Sequence, residues 1–408
     1  MIDRRLFLKS SGVAMAGLGF APAFLRRALA AGTGSRGRVL VTIFQRGAVD
    51  GLSMVPPYAE GRYFELRPSL AIPRPGAADG ALKLDDTFAL HPALGALKPM
   101  YDAGALAVVQ AVGSPDKSRS HFDAQDFLES GTPGVKTTRD GWQNRLLQAS
   151  PGDRCAFRGV ALQPTLPRSL AGPAPALALE RLGSFRLKDA GAADRLAAGR
   201  DAELGGSAGE AAAAVRFLAE VKPDRFPPEH GAVYPGSPLG QRLKQIAQLI
   251  RADVGLEVAA TDCGGWDTHA AQGAGKGQLA GRLQDFGDAI GAFAQDLGER
   301  LADVCLVTLT EFGRTVRENG SRGTDHGHGS AMLVLGGGVR GGRVVTRWKG
   351  LADAELFEGR DLPVTTDHRD VLGEALIAHL GVSDVASVFP GYQGEPRGVF
   401  APAVSPSR

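Results

Sequence analysis

Seven residues near the end of the chain, Gly323-Thr324-Asp325-His326-Gly327-His328-Gly329, place one aspartate and two histidines within four positions. A second patch, Gly264-Gly265-Trp266-Asp267-Thr268-His269, repeats the combination. The chain has eight histidines, and three of them fall in these two patches. Aspartate and histidine together are the donor mixture that borderline divalent cations favour, zinc first, with manganese, magnesium or calcium as alternatives. Neighbouring glycines let the backbone bend sharply enough to aim adjacent side chains at one point. His326 and His328 stand at i and i+2, so on a regular strand they would share a face and Asp325 would point away. A bent loop would instead present Asp325 and His326, leaving His328 for a second metal or an outer position. Asp267 and His269 have the same spacing, which suits either joint ligation or a carboxylate that fixes a histidine tautomer. The plain alternative for both patches is a loop whose polar groups cap helices and bond backbone.

Other polar residues punctuate the ends of apolar runs. Glu311, in Thr310-Glu311-Phe312-Gly313-Arg314, is read either as a ligand or as the partner of a cation. Asp50 precedes Gly51 and is read as a ligand or as a turn aspartate. In Ser118-Arg119-Ser120-His121, Ser120 is a candidate nucleophile beside a cation. It is equally placed to be the N-cap of a helix beginning at His121. His121 is a candidate for the same chemistry, and Arg46, Arg119 and Arg314 are candidate clamps for an anionic substrate.

These residues need a scaffold, and the pattern supplies one. Valine- and leucine-rich runs at 38–44, 105–112, 256–261, 304–310 and 331–335 read as buried strands. Helical periodicity covers 92–103, 121–130, 142–149, 239–252, 277–301 and 369–380. Strands alternating with helices of this length predict a doubly wound, mostly parallel α/β sheet with helices on both faces. Such sheets gather ligands at the carboxyl ends of their strands. Asp50, Ser120, His121, Asp267, His269 and Glu311 all follow expected strand ends. The Ala/Gly- and Pro-rich stretch at about 185–238 reads as an insertion or cap within a domain covering 31–408.

The first 30 residues read as an export signal. Arg4-Arg5 precede an apolar run of about 14 residues, too short to span a bilayer, and Ala28-Leu29-Ala30 offers a small-x-small cleavage site. The paired arginines predict the twin-arginine route, its translocase as a transient partner, and a periplasmic or exported destination. The formal charge of +2 belongs to that leader, and the rest is slightly acidic, so nothing points to nucleic acid. Cys155, Cys263 and Cys305 match no zinc-knuckle spacing; one disulfide or three buried thiols would both satisfy them. GxSxG, HExxH and P-loop patterns are absent.

In this order, the twin arginines, Asp50-Gly51-Leu52, Ser120-His121-Phe122-Asp123, the Gly264–His269 patch, Glu311-Phe312-Gly313-Arg314-Thr315 and Gly323-Thr324-Asp325-His326-Gly327 resemble the exported bacterial family named domain of unknown function 1501. That family is similar to the alkaline phosphatase and sulfatase superfamily. The resemblance implies an alkaline-phosphatase-like α/β fold and a dinuclear metal site drawn from Asp50, Asp267, His269, Glu311, Asp325, His326 and His328. The sulfatase signature of cysteine or serine before Pro-x-Arg is missing, and Glu311-Phe312 stands where the superfamily has Asp-His. The expectation is a metal-dependent hydrolase of phosphate or sulfate esters. Its rival is a non-catalytic exported module that binds metal or ligand on the same fold.

Overall fold

The computed structural model describes residues 37–150, 156–182 and 225–401. The export signal, most of the insertion and Cys155 lie outside them. The strands are β1 (Val39–Arg46), β2 (Leu82–Lys83), β3 (Ala89–Leu90), β4 (Leu106–Gly113), β5 (Gly159–Ala161), β6 (Leu177–Ala178), β7 (Val258–Gly264), β8 (Val304–Leu309), β9 (Ser330–Gly336), β10 (Arg343–Val345) and β11 (Thr366–Asp367). Among the described residues the longest helices are α1 (His121–Ser130), α2 (Trp142–Ala149), α3 (Pro238–Arg251), α4 (Gln278–Leu297) and α5 (His368–Ala378). No helix among them is long and apolar enough to cross a membrane.

Nine strands form one sheet in the order β10-β4-β9-β8-β1-β7-β5-β6, with β11 also on β4. β1 runs parallel to both neighbours, β7 and β8. Its sequence is apolar almost throughout because both faces are covered. Val39, Val41 and Ile43 pack in one core with Leu243 and Ile246 of α3 and Leu283, Phe286, Ile290 and Phe293 of α4. Leu40 and Phe44 face the opposite core with Trp142 and Leu146 of α2 and Val371, Leu372 and Leu376 of α5. The i, i+3, i+4 spacing in α4 is what gives a 20-residue helix a single buried stripe. The fold is thus the expected doubly wound α/β sheet, mostly parallel, with helices on both faces.

β9 departs from the parallel rule, pairing antiparallel with both β4 and β8. The physical reason lies in its connection. No helix intervenes between Leu309 and Ser330, and a parallel return needs a crossover that is usually helical. The chain therefore doubles back, and the start of β9 lies at the edge where its neighbours β4 and β8 end. This reversal delivers the Gly323–Gly329 segment to the same rim as the loops after β1, β4, β7 and β8.

Candidate functional site

Side chains from three strand-end loops meet at that rim. His121, the first residue of α1, arrives after β4; Asp267 and His269 follow β7; His326 precedes β9. Nε2 of His326 lies 3.1 Å from Nε2 of His121, 3.1 Å from Nε2 of His269 and 3.2 Å from Oδ1 of Asp267. Asp267 Oδ1 is 2.9 Å from His269 Nε2, and its Oδ2 is 3.5 Å from His121 Nε2. His121, Asp267 and His326 together form a group able to hold a metal ion, and His269 adjoins it.

The outward nitrogens define the tautomers. His121 Nδ1 lies 2.8 Å from Glu311 Oε1, His269 Nδ1 3.0 Å from Asp325 Oδ1, and His326 Nδ1 2.9 Å from the Arg119 carbonyl. Each of those oxygens accepts, so each Nδ1 carries the proton and donates it. In the neutral rings, the Nε2 lone pair of His326 then faces those of His121 and His269, and all three lie against the Asp267 carboxylate. Facing lone pairs repel, and a proton or a cation between them removes the conflict. Rings fixed in this way by oxygen acceptors behind them are the usual preparation of histidine for a metal.

The glycines act through contact more than through bending. Gly327 lies across the Arg314 backbone, where a Cβ would fall 2.3 Å from the Arg314 carbonyl carbon. A Cβ on Gly323 would meet the His269 carbonyl at the same distance. Only residues without side chains let these loops cross closely enough for His326 and His269 to meet.

Two residues read as ligands, Glu311 and Asp325, stand behind the histidines of the cluster. Glu311 is buried and accepts from His121, from Gln125 Nε2 at 2.9 Å and from the Gly47 N–H at 2.8 Å. Burial pushes its carboxyl up, but these donors, His121 foremost, hold it below the ordinary carboxylate range. Asp325 is kept low first by its bond from His269. Asp267 is opposed by burial but held low by the bond and charge of Arg314. Glu311 in turn raises the pKa of His121. That of His326 is lowered, chiefly by burial. His121 is backed by the buried Glu311 carboxylate and His269 by the exposed Asp325 carboxylate, whereas His326 has only a backbone carbonyl behind it.

The remaining sequence candidates are placed elsewhere. Asp50 is 1% exposed and its carboxylate is filled: Arg67 Nη1 at 2.6 Å, Ser53 Oγ at 2.7 Å and Gln272 Nε2 at 2.7 Å all donate to Oδ2. Its Oδ1 caps a short helix through Leu52 and Ser53. The turn-and-cap reading is correct for Asp50, and it is not a member of the cluster. His328 is buried and stacks on Phe357 at 4.6 Å, outside the cluster. Ser120 occupies the N-cap of α1 but makes no side-chain cap bond and is exposed.

None of the three arginines proposed as anion clamps is unengaged. Arg46 bonds Asp262, Gln125 and Glu129, and Arg119 bonds Asp361 and Glu358. Arg314 is fully buried, donating to the carbonyls of Gly47, Ala48, Trp266 and Thr324 and to Asp267. Its guanidinium is a tie for the loops and has no donor directed outward.

Sequence reasoning missed His121 as a member of the cluster. The only signal available was its position one residue into a helix after a buried strand. Where described, the cysteines are free thiols, Cys305 buried and Cys263 partly buried, and desolvation pushes both up, Cys263 to about 12.

Fold and site define a doubly wound α/β protein with a His/Asp cluster at the carboxyl edge of its sheet. The chain belongs to the family described as protein of unknown function (DUF1501), whose family model matches residues 38–389. No curated protein matches the chain. Among solved structures it is similar to the lipoteichoic acid synthase LtaP from Listeria monocytogenes, at 9% identity and TM-score 0.35, covering 76% of this chain and 68% of that one. It is also similar to the PsFucS1 sulfatase from Pseudoalteromonas sp., at 12% identity and TM-score 0.40, covering 93% and 76%. A third likeness is to the C-terminal periplasmic domain of EcEptC from Escherichia coli in complex with Zn, at 12% identity and TM-score 0.33, covering 74% of each. Likenesses this distant carry nothing about substrate or chemistry.

Proposed function

We propose that this is an exported, metal-dependent hydrolase of phosphate or sulfate esters. The observation that carries the reading is the convergence of three Nε2 atoms on the Asp267 carboxylate, each ring having committed its Nδ1–H to an oxygen behind it. The donor set fits a divalent cation. Ligand atoms around tetrahedral zinc at about 2.0–2.1 Å stand roughly 3.3 Å apart, and His326 Nε2 lies 3.1 Å from each of the other two Nε2 atoms and 3.2 Å from Asp267 Oδ1. Three imidazoles and a carboxylate favour zinc, with manganese next. A cation held there would polarise an ester oxygen and lower the pKa of water at the site.

The chain's own groups complete the proposal. His121, His269, His326 and Asp267 hold, and Glu311, Asp325 and the Arg119 carbonyl orient. The cluster opens to solvent, with the Asp267 and His269 side chains 43% and 44% exposed. Four protein ligands would fill a tetrahedral cation, so water or an ester would enter as a fifth ligand, and the exposed rim gives it access. With the arginines engaged elsewhere, the positive end of α1 is the charge directed at an anion here. Its Ser120 hydroxyl is uncommitted to capping and stands next to His121.

The test is a screen of phosphate monoesters, phosphate diesters and sulfate esters against protein supplied with Zn²⁺ or Mn²⁺. Hydrolysis that is abolished by a chelator, restored by metal and lost in His326→Ala supports the reading. A metal-loaded, folded protein that turns over none of the three ester classes would favour the binding module.

A further inference from the structure

Resting on that proposed metal site, we propose that it is mononuclear: the chain holds one cation, and buried guanidinium groups occupy the acceptors that a second would need. A cation pair sits about 3.5–4 Å apart and shares carboxylates that face both ions. The resemblance to two-metal enzymes leads one to expect such a pair, with Asp50, Asp267, Glu311 and His328 among its ligands. The donor inventory speaks against it, residue by residue.

Asp267 is the carboxylate at the centre of the cluster, and Arg314 donates to its Oδ1 from the protein side. The same guanidinium takes the Ala48 carbonyl at 2.7 Å, Gly47 at 2.6 Å, Thr324 at 3.0 Å and Trp266 at 3.1 Å. Those four carbonyls come from three separate strand-end loops and converge as they would around a bound ion. Arg314 is that ion, fixed covalently. Its side chain is 0% exposed, and its position brings a full positive charge into the place behind Asp267. A divalent cation there would meet both steric exclusion and like charge.

Asp50 is closed in the same manner. Arg67, also 0% exposed, pairs with it at 2.6 Å, and Ser53 and Gln272 take the remaining acceptor sites. Glu311 is buried, with His121, Gln125 and the Gly47 N–H on a single oxygen, and its other oxygen shares the Thr310 hydroxyl with the Gln45 carbonyl. His328 is turned into a stack with Phe357. Asp325 is exposed and accepts at Oδ1 from His269 and Asn319, behind the ring, so the lone pairs that converge at the rim are those of His121, His269, His326 and the outer part of Asp267.

Metal content of the full chain, stripped with chelator and then titrated with Zn²⁺, decides the matter by elemental analysis and calorimetry together. The expected result is one tightly held equivalent, falling to none in His326→Ala that circular dichroism shows to be folded. Two equivalents of comparable affinity would overturn the mononuclear assignment while leaving the metal site standing. No bound equivalent would remove the metal site itself, and this inference with it. One equivalent that survives His326→Ala would also overturn it, since the ion would then lie outside the cluster.

Discussion

Two aspartates leave the carboxyl edge of one sheet and meet opposite fates. Asp50 follows β1, Asp267 follows β7, and both sit beside a buried guanidinium. Asp50 is sealed, its four lone-pair positions spent on Arg67, Ser53, Gln272 and its own helix cap. Asp267 shares its carboxylate between Arg314 and ring nitrogens, and is 43% exposed. Residue type and topological position are the same in both, so neither decides what a carboxylate does. The partners decide: hydrogen-bond donors on all sides make a strut, whereas facing lone pairs make a place for a cation. Gln272 links the two regions, donating to Asp50 and accepting from Thr268 and Thr324 in the loops that carry the cluster.

The sharpest way to break this contrast is to exchange the two losses. Asp267→Ala should abolish metal retention and lower hydrolysis of any ester substrate by about a thousandfold, the several kcal/mol that a cation supplies to a transition state. Metal analysis and steady-state rates read this out, and denaturation should show a smaller loss than at Asp50, because the buried Arg314 keeps four carbonyl acceptors and the partner it loses is 43% exposed. Asp50→Ala should do the reverse. It leaves Arg67 buried without its partner, which costs about 3–5 kcal/mol, visible as a lowered denaturant midpoint. The surviving folded fraction should still bind metal. A stable Asp50→Ala protein that loses its metal would reverse the two assignments.

Glu311→Ala sharpens the distinction between holding and orienting. With His121 no longer anchored at Nδ1, metal affinity should fall about 10- to 100-fold without vanishing, measured by chelator competition. Complete loss would make Glu311 a ligand after all.

Acid should separate the two regions more gently. A histidine must be neutral to bind metal, and Glu311 raises the pKa of His121. Apo protein therefore takes up a competing proton at a higher pH than an ordinary imidazole would, and metal affinity should begin to fall there. Asp50 has the opposite sign. Burial opposes its charge, but Arg67 and its other donors hold its folded-state pKa below the unfolded value. Its contribution to stability is present above the usual carboxylate pKa and is lost only as pH falls through the lower folded value. Metal release should thus precede unfolding in an acid titration followed by a metal indicator and circular dichroism. Coincident transitions would contradict the separation.

Much of this was legible in the sequence, for reasons that are local. Buried parallel strands leave continuous apolar runs, so β1, β4, β7 and β8 and the helices between them could be read off directly. The two Asp/His patches stood out because glycine-rich loops at strand ends have few other uses for an aspartate beside a histidine. What escaped were facts of tertiary pairing. Asp50 and Arg67 are 17 residues apart, and nothing in either segment names the other. His121 looked like part of a nucleophile motif because its neighbours in the cluster come from two distant loops. Glu311 and His121 are 190 residues apart, so a carboxylate behind a ligand could not be told from a ligand. The reversal of β9 was visible only as a missing helix.

The central claim, that the cluster at the rim is a metal centre, is tested most directly by anomalous diffraction at the zinc edge from crystals of metal-loaded protein. The expected result is a peak about 2.0–2.2 Å from the Asp267 carboxylate and from converging Nε2 atoms of His121, His269 and His326. A peak at Asp50 or His328, or a fully loaded crystal with no peak at the rim, would contradict it.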